Sequence, residues 1–521
     1  MQNKVTSHLK KHYAIYVSSF LLSLFISGPL IAFPFVAGDS YQGINITHFD
    51  RLDEHFYLTR GKEVLEGHGL GNPSLLEGKD NTDTYFSYSE RIMLFPVKLL
   101  GASGNTDIVT LYNWYNFTGV FILIILVYSL LWQLSRSRLL SVVSAVFVVG
   151  GYHIAYGSFF YNDFNFYARA MYPYVSSLVF FAYLNFLVTS FEGNTIKRLL
   201  WPGLLFALMF YISFYGWSFI LALNFALALV ALLKKDTTLF KSVSLTSIIG
   251  LVLGLPNLYR MFTFFTAPAG RELSQFLSAV PSHQPVFGGL GVCALALLVA
   301  FAYFKRNDKN LPLIASFIIA GVLALNQQVV TGTVIQYGHY YWYFMVPLVI
   351  LSLLYMAWTV MNGRSYRKNI FIALFIIVFI HAAIGQYRSF STTFQAKLYE
   401  QNYQPLIEAL NAESSRSVIL APLNRSGLLF TIYTNHDLFW NPSSAWSYNL
   451  ASRHEEVSEV YNYLSGASGA SSLIRIKNLL SDRGVRYIVW DKNIYPDWDL
   501  SGLNVSELVR SDNIYLYGIN W

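Results

Sequence analysis

Long apolar segments separated by short basic clusters constrain the fold of this chain more than any other feature. Of its 521 residues, 54% are hydrophobic and only 12% are charged, which is about half the charged share of an ordinary soluble domain. Charge is costly in hydrocarbon, so charges confined between apolar segments indicate a polytopic membrane protein. The net charge of +7 therefore reports membrane topology, and we expect no nucleic-acid partner.

Six basic clusters set the predicted topology. The positive-inside rule predicts that all six are cytoplasmic, so the number of crossings between neighbouring clusters must be even. The uncharged run 199–233 has 35 residues, too many for one helix across a core of about 30 Å, so we predict two helices that turn near Tyr215 and Gly216. The clusters are Lys4, Lys10 and Lys11; Arg136 and Arg138; Lys197 and Arg198; Lys234, Lys235 and Lys241; Lys305, Arg306 and Lys309; and Arg364, Arg367 and Lys368.

The even number of crossings between neighbouring basic clusters predicts eleven transmembrane helices in all. It also places the N-terminus in the cytoplasm and the C-terminal part outside. Residues 1–386 are predicted to form a transmembrane domain, which includes a long first outer loop at 37–108. Residues 387–521 are predicted to form an extracytoplasmic domain. The first apolar segment, Tyr13–Val36, is longer than a signal-peptide core and lacks an A-x-A-like site after it, so we predict an uncleaved helix. The single cysteine, Cys293, excludes a disulfide within the chain and a cysteine metal cluster.

The C-terminal part has a mixed α/β pattern. We predict short buried strands at "SVILAPL" (417–423) and "VRYIVW" (485–490), a helix at "SRHEEVSEVYNYL" (452–464), and a second helix at "SSLIRIKNLLSDRG" that ends in a Gly484 cap. This part contains no phosphate-cradling glycine loop and no nucleophile elbow in its sequence. The predicted fold class is therefore mainly α, a membrane helix bundle with a small α/β extracytoplasmic domain, and chemistry is expected outside that domain.

The acidic stretch "THFDRLDEHFYLTRGKEVLEGHGLGNP" (47–73) follows the first apolar segment directly. Apolar residues at Leu52, Phe56, Val64 and Leu65, with a stop at Gly67, predict one short helix on the outer surface.

The acids at the start of this helix have two interpretations. Asp50 at the N-cap, with Asp53 and Glu54 in the first turn, would satisfy free N–H groups and the helix dipole. Alternatively, Asp53, Tyr57 and Arg60 fall at i, i+4 and i+7, so they share one face that suits a sugar or a phosphate. The local sequence alone favours the first interpretation.

The stretch "LDEHFYLTRGKEVLEGHGLGNP" (52–73) resembles the first outer loop of the GT-C class of membrane glycosyltransferases. The chain is similar to the protein mannosyltransferase and aminoarabinose transferase branch, whose first loop opens with Asp-Glu. The many predicted helices, the long first loop and the outer C-terminal domain extend the resemblance over most of the chain. It implies a sugar donor carried on a polyprenyl phosphate, and an acceptor hydroxyl or amine on the outer face.

The resemblance also implies residue roles and partners. Asp53 matches the catalytic position and would act as general base in a single inverting displacement, with Asp50 as the alternate. Glu54, Tyr57 and Arg60 are candidate substrate contacts. The expected partners are a polyprenyl-phosphate-linked sugar, membrane lipids and an acceptor that is a protein, a lipid or a polysaccharide. A bacterial inner membrane is the expected location.

A lipid-phosphate leaving group calls for cations on the outer side. Arg260 and Arg271 are the first candidates, with Arg169 and His339 after them, because a guanidinium can bind phosphate in a bidentate way. The alternative is that these arginines are interfacial residues that pair with lipid headgroups.

The second outer loop contains "NDFN", in which Asp163 is a further candidate substrate contact. Some relatives place a second acid where this chain has Asn165, as part of a metal-binding pair. No cofactor is predicted for this reason, although Asp50 and Asp163 remain candidates to hold a divalent ion between loops.

Two other functional classes fit a many-helix membrane protein, namely a transporter or lipid flippase and a non-catalytic binder of lipid-linked sugars. A transporter usually carries ionisable groups at mid-membrane on broken helices. Here the predicted helix centres are nearly free of charge and ionisable residues gather in the outer loops. This distribution favours chemistry at one membrane surface.

Overall fold

The computed structural model describes residues 2–47, 52–102, 106–156, 164–169, 171–191, 195–276, 280–336, 338–442, 451–467 and 471–521. These residues form two compact units. The membrane unit comprises Met1–Pro29 with Trp114–Phe390, and the mixed unit comprises Leu30–Asn113 with Ser391–Trp521.

Helices dominate the described residues, as the predicted mainly-α class requires. In chain order they are α1 (Gln2–Ala37), α2 (Leu52–Glu66), α3 (Ser89–Leu99), α4 (Ile108–Ser135), α5 (Arg138–Gly150), α6 (Tyr152–Tyr156), α7 (Tyr174–Ser190), α8 (Ile196–Phe210), α9 (Phe214–Leu233), α10 (Thr237–Thr266), α11 (Pro268–Phe276), α12 (Gly289–Phe304), α13 (Leu311–Leu325), α14 (Gln327–Thr331), α15 (Gly338–Tyr340), α16 (Val346–Val360), α17 (Arg367–Glu400), α18 (Gln404–Asn411), α19 (Arg425–Tyr433), α20 (Ala451–Leu464) and α21 (Leu473–Asp482).

The strands are short. They are β1 (Val280–Pro281), β2 (Thr333–Val334), β3 (Val418–Leu420), β4 (Asp437–Leu438), β5 (Val485–Asp491), β6 (Val505–Ser511) and β7 (Ile514–Ile519).

Six helical segments of the described chain are long and apolar enough to cross a membrane. Four shorter apolar helices, α5, α7, α12 and α13, accompany them. This pattern confirms an integral membrane protein, and the count of eleven spans stays a prediction. The six segments are Lys10–Ser40, Ile108–Ser135, Phe214–Leu233, Thr237–Thr266, Gly338–Val360 and Arg367–Asn411.

The long uncharged run does divide into two helices, α8 and α9, as predicted. The break lies at residues 211–213, a few residues before the expected turn at Tyr215 and Gly216. Ser213 explains the position, because its hydroxyl accepts a hydrogen bond from the Gly216 N–H at 3.2 Å and so caps the start of α9.

Glycines allow α10 to approach α8 closely in the membrane unit. A Cβ atom at Gly250 would lie 2.2 Å from the Phe206 side chain, and one at Gly254 would lie 2.5 Å from Phe210. Asn257, one turn further along α10, donates from Nδ2 to the Phe210 carbonyl at 2.7 Å. Small residues with a nearby buried amide are a usual way to pack helices in lipid, where the hydrophobic effect does not drive association.

The mixed unit contains a five-stranded sheet of order β4-β3-β5-β7-β6. Strand β3 pairs parallel with β4 and β5, whereas β7 pairs antiparallel with β5 and β6. The predicted strands at 417–423 and 485–490 and the predicted helices at 452–464 and 471–484 are confirmed as β3, β5, α20 and α21. Gly484 has a φ of +68° and ends α21 as expected.

The first outer loop packs into this same unit. Residues 37–108, which were predicted as the long first outer loop of the transmembrane domain, lie in one compact unit with residues 391–521. The reason is a shared apolar core, since Ile44, Phe56 and Leu75 are buried in one cluster with strand residues such as Ile419 and Ile488.

Candidate active site

Helix α2 forms within the predicted limits and ends before Gly67, whose φ is +89°. Phe56 and Leu58 are 2% and 0% exposed, and each such burial stabilises the fold by about 1.5–3 kcal/mol relative to exposure. The Thr59 and Thr431 hydroxyls share a hydrogen bond of 2.8 Å, which joins α2 to α19. The helix that carries the predicted catalytic acid is thus fixed within the mixed unit.

Arg60 holds two acids of the first loop together. Its Nη1 and Nη2 atoms each lie 3.0 Å from an oxygen of Asp83, and its Nε lies 2.6 Å from Glu90 Oε1. Arg60 and Glu90 are each only 1% exposed. Burial opposes the charge of Arg60, but the carboxylates of Asp83 and Glu90 outweigh it and raise the pKa of the guanidinium well above its usual range. The ion pair with Glu90 connects α2 to α3, and the ion pair with Asp83 connects α2 to the loop that precedes α3.

Tyr85 lies where the predicted face of α2 meets this network. The Arg60 guanidinium carbon lies 4.7 Å from the Tyr85 ring centroid, and the centroids of the Tyr57 and Tyr85 rings are 6.4 Å apart. Burial raises the pKa of the Tyr85 hydroxyl above its usual range, Arg60 opposes this shift, and the negative charge of Asp53 adds to it. Tyr57 and Arg60 therefore contact the Tyr85 ring, and Asp53 is near enough for its charge to act on the Tyr85 hydroxyl.

The two acids in the first turn of α2 have opposite environments. Asp53 is exposed, whereas Glu54 is 0% exposed. Asp50, the predicted cap and alternate base, lies outside the described residues. Both acids remain suitably placed for the dipole of α2, but only the Asp53 carboxylate is open to a substrate from solvent.

The arginine candidates for phosphate binding lie in the membrane unit. Arg260 is exposed within α10, which continues to Thr266. Arg271 donates from Nε at 3.1 Å and from Nη2 at 2.8 Å to the Thr266 carbonyl, so it caps the end of α10. Arg169 is half-buried, and its carbonyl accepts a hydrogen bond of 3.1 Å from Asn116 Nδ2.

His339 stacks on Tyr215, with ring centroids 4.5 Å apart and planes 12° apart. Tyr215 also donates to Gln336 Oε1 at 3.0 Å. Asp163, the acid predicted on the second outer loop, lies outside the described residues. The substrate and phosphate roles given to all these residues stay predictions.

One group of side chains in the mixed unit has metal-ligand chemistry. Ligand atoms of Glu63, Glu66 and His68 lie within 4.8 Å of one another. However, Lys79 Nζ lies 2.9 Å from Glu63 Oε2, and Arg416 Nη2 lies 3.3 Å from Glu63 Oε1. A divalent ion would have to displace or tolerate both cations at contact distance, so this donor set fits an ion-pair network better than a metal.

Asp83, Tyr85 and Glu90 were not predicted from the sequence. Both acids lie far along the chain from Arg60, 23 and 30 residues away, and no helical or strand period relates them. The only signal was a pair of acids on either side of the aromatic run "TYFSYS" (84–89).

No family model matches this sequence, and no curated protein matches it. Solved structures do match the fold. The oligosaccharyltransferase of Archaeoglobus fulgidus, crystallised with Zn and sulfate, has a TM-score of 0.52 and 12% identity, covering 92% of this chain and 68% of that one. The same organism's AglB, in complex with an inhibitory peptide and a dolichol-phosphate, has a TM-score of 0.51 and 11% identity over 98% of this chain and 75% of that one.

ArnT from Cupriavidus metallidurans bound to undecaprenyl phosphate is similar over nearly the full length of both proteins. Its TM-score is 0.52 and its identity 9%, covering 95% of this chain and 97% of that chain. ArnT and AglB are both GT-C glycosyltransferases. The resemblance to the GT-C class that the first loop indicated is confirmed for the fold.

Proposed function

We propose that this chain is a membrane glycosyltransferase that moves a sugar from a polyprenyl-phosphate donor to an acceptor on the outer face of the membrane. The observation that carries the proposal is an exposed carboxylate, Asp53, on a helix that buried ion pairs hold in place. A general base must be fixed relative to its substrate, and a rigid helix provides this better than a loop does.

In the proposed reaction, the Asp53 carboxylate takes the proton of the acceptor hydroxyl or amine as that group attacks the anomeric carbon. The bond between the anomeric carbon and the phosphate oxygen breaks in the same step, and the polyprenyl phosphate leaves with the bonding electrons. A single displacement inverts the anomeric centre. Tyr57 and Tyr85 line the same face and would contact the sugar.

The chain offers several cations for the leaving phosphate. Arg260, Arg271, Arg169 and His339 remain the candidates from the sequence, and we add Arg91 in the mixed unit. Arg91 is exposed at the start of α3, directly after Glu90, with its guanidinium carbon 5.4 Å from the Tyr88 ring centroid. A guanidinium held over an aromatic ring keeps its donors directed outward, which suits phosphate.

The choice of donor is supported by what the similar structures contain. The AglB structure includes a dolichol-phosphate, and the ArnT structure includes undecaprenyl phosphate. These lipids share a long apolar chain and a phosphate head. We therefore propose a polyprenyl-phosphate-linked sugar as donor, a bacterial inner membrane as location, and an extracytoplasmic mixed unit.

The test is sugar release and transfer by the purified full-length protein from a panel of polyprenyl-phosphate sugars, with and without a chelator. We expect turnover of at least one donor, inversion at the anomeric carbon by NMR, and a product that is unchanged by the chelator. Binding of donors without any turnover would refute the enzyme assignment in favour of a non-catalytic binder. Movement of an intact lipid-linked sugar across a vesicle membrane would refute it in favour of a flippase.

A further inference from the structure

A pocket of about 690 Å³ opens in the mixed unit, away from the proposed catalytic face of α2. Lys62 and Glu66 line it, and Lys62 follows Asp53 by nine residues, which is two and a half turns and therefore the opposite side of the helix. The volume lies within the range of about 300–1,000 Å³ that is usual for small-molecule sites. The pocket is thus a separate feature on the same helix.

Planar hydrogen-bonding groups form much of the pocket wall. They are the carboxylates of Glu66 and Asp107, the guanidinium of Arg416, the imidazole of His68 and the amide of Asn435. The carboxylates present two acceptors in one plane and the amide presents an acceptor and a donor, so each of these groups can pair with two adjacent hydroxyls, while the imidazole and the guanidinium can each add a further contact.

Apolar side chains form another part of the lining. Leu65, Ile108 and Ile432 contribute aliphatic side chains that are less than a tenth exposed, and Tyr433 contributes an aromatic ring. A sugar ring has the matching character, with hydroxyls at its rim and C–H groups on its faces.

Internal hydrogen bonds fix the polar groups before any ligand arrives. Asp107 Oδ2 accepts from Asn45 Nδ2 at 2.6 Å. Arg416 pairs with both oxygens of Asp437, at 2.6 and 2.8 Å, and its Nη1 lies 3.3 Å from His68 Nε2. Groups held in this way lose little freedom on binding, which favours affinity.

The charges of the lining are balanced. Lys62 and Arg416 face Glu66 and Asp107, and Lys62 Nζ already lies 3.4 Å from Glu66 Oε1. A phosphate or a nucleotide would meet two carboxylates at close range, whereas an uncharged polyhydroxyl ligand meets donors and acceptors alike.

From this lining we infer that the pocket binds a neutral sugar residue of the acceptor, so that the acceptor is a carbohydrate chain. The inference rests on the proposed glycosyltransferase function and narrows its acceptor, which the sequence left open among protein, lipid and polysaccharide. The pocket holds a sugar unit of the acceptor while another unit of the same chain presents its hydroxyl to Asp53.

The experiment measures binding of neutral hexosides and disaccharides to the full-length protein by saturation-transfer NMR, in a detergent without a sugar headgroup. Glu66→Gln and Asn435→Ala remove pocket partners at partly exposed positions. The matched control is Glu507→Gln, an exposed acid on β6 of the same unit. We expect each pocket variant to weaken binding of the preferred saccharide roughly tenfold, the effect of one hydrogen bond to a charged or fixed group, and the control to leave it unchanged.

Two results would overturn the inference. One is that no saccharide binds, or that the pocket variants and the control bind it equally. The other is that Zn²⁺ or Ca²⁺ alone binds to the wild type and that Glu66→Gln abolishes this binding, which would assign the site to a cation.

Donor turnover separates this inference from the proposed function. Hydrolysis of the polyprenyl-phosphate donor, in which water takes the place of the acceptor as nucleophile, is measured on the wild type and should be unchanged in the control Glu507→Gln. If the wild type releases sugar from a donor but binds no saccharide, only the carbohydrate acceptor is refuted. If it binds a saccharide in the pocket but turns over no donor, the enzymatic proposal fails instead.

Discussion

Arg60 and Asp83 form a bidentate ion pair in which both terminal guanidinium nitrogens lie 3.0 Å from a carboxylate oxygen, with Arg60 only 1% exposed. Glu90, which lies on α3, accepts a hydrogen bond from Nε of the same guanidinium. The pair joins the helix that carries Asp53 to the loop that carries Tyr85. The position of the proposed base therefore depends on a buried electrostatic contact within one compact unit.

Replacing Arg60 should unfold this region. Arg60→Met leaves Asp83 and the buried Glu90 without their cation, which typically costs about 3–5 kcal/mol. We expect a large drop in the denaturant midpoint of the purified protein. The control is Arg475→Met, which breaks the surface pair with Glu459 and should leave the midpoint unchanged. Equal midpoints for the two variants would contradict a structural role of the Arg60 network.

The cap after α21 should depend on backbone conformation alone. Gly484 has a φ of +68°, and a Cβ added there would meet no heavy atom within 4 Å. Gly484→Ala should therefore cost about 1–2 kcal/mol through the left-handed backbone, whereas Gly484→Asn should cost less, because Asn tolerates that region. Thermal unfolding of the three proteins measures this order, and an Ala variant as stable as wild type would refute it.

Glu456 on α20 should contribute stability that acid removes. Burial opposes its ionisation, but hydrogen bonds from Arg483 at 2.6 Å and Arg453 at 2.9 Å outweigh burial and hold the pKa of Glu456 below its usual range. A depressed pKa stabilises the folded state above the unfolded value of about 4.3, and this stabilisation is lost as the pH falls through the folded value.

The measurement is the difference in unfolding midpoint between wild type and Glu456→Gln from pH 7 to pH 3. The wild-type advantage should be constant at neutral pH and shrink below about pH 4.3. Glu455→Gln, at an exposed position of the same helix, should show no such trend. A Glu456 difference that does not change with pH would contradict the ion-pair account.

Much of the fold could be predicted from the sequence, because its signals are local. Hydropathy and the basic clusters located the apolar helices, and the spacing of Phe56, Val64 and Leu65 with the stop at Gly67 located α2. The hairpin β6–β7 was missed although it had a signal, since two alternating runs flank the pair Asp512 and Asn513. Asp512 has a φ of +53°, which short polar side chains tolerate well.

The candidate site was less predictable. The helical period placed Asp53, Tyr57 and Arg60 on one face, but it could not show that Arg60 is occupied by Asp83 and Glu90. Those contacts arise from the path of the loop between α2 and α3, which has no repeat to follow. The packing of the first loop on the C-terminal residues was missed for the same reason, because a core formed from distant segments leaves no local pattern.

The most direct test of the account is single-turnover sugar release by Asp53→Asn beside Asp80→Asn, an exposed acid of the same loop. Both variants should fold, because both side chains are exposed. With a donor that the wild type uses, Asp53→Asn should lose at least about 10²-fold in rate, which is typical for the removal of a general base, and Asp80→Asn should retain the wild-type rate. If Asp53→Asn, correctly folded, releases and transfers sugar at the wild-type rate, Asp53 is only the first-turn acid of α2 and the proposed catalytic face is wrong.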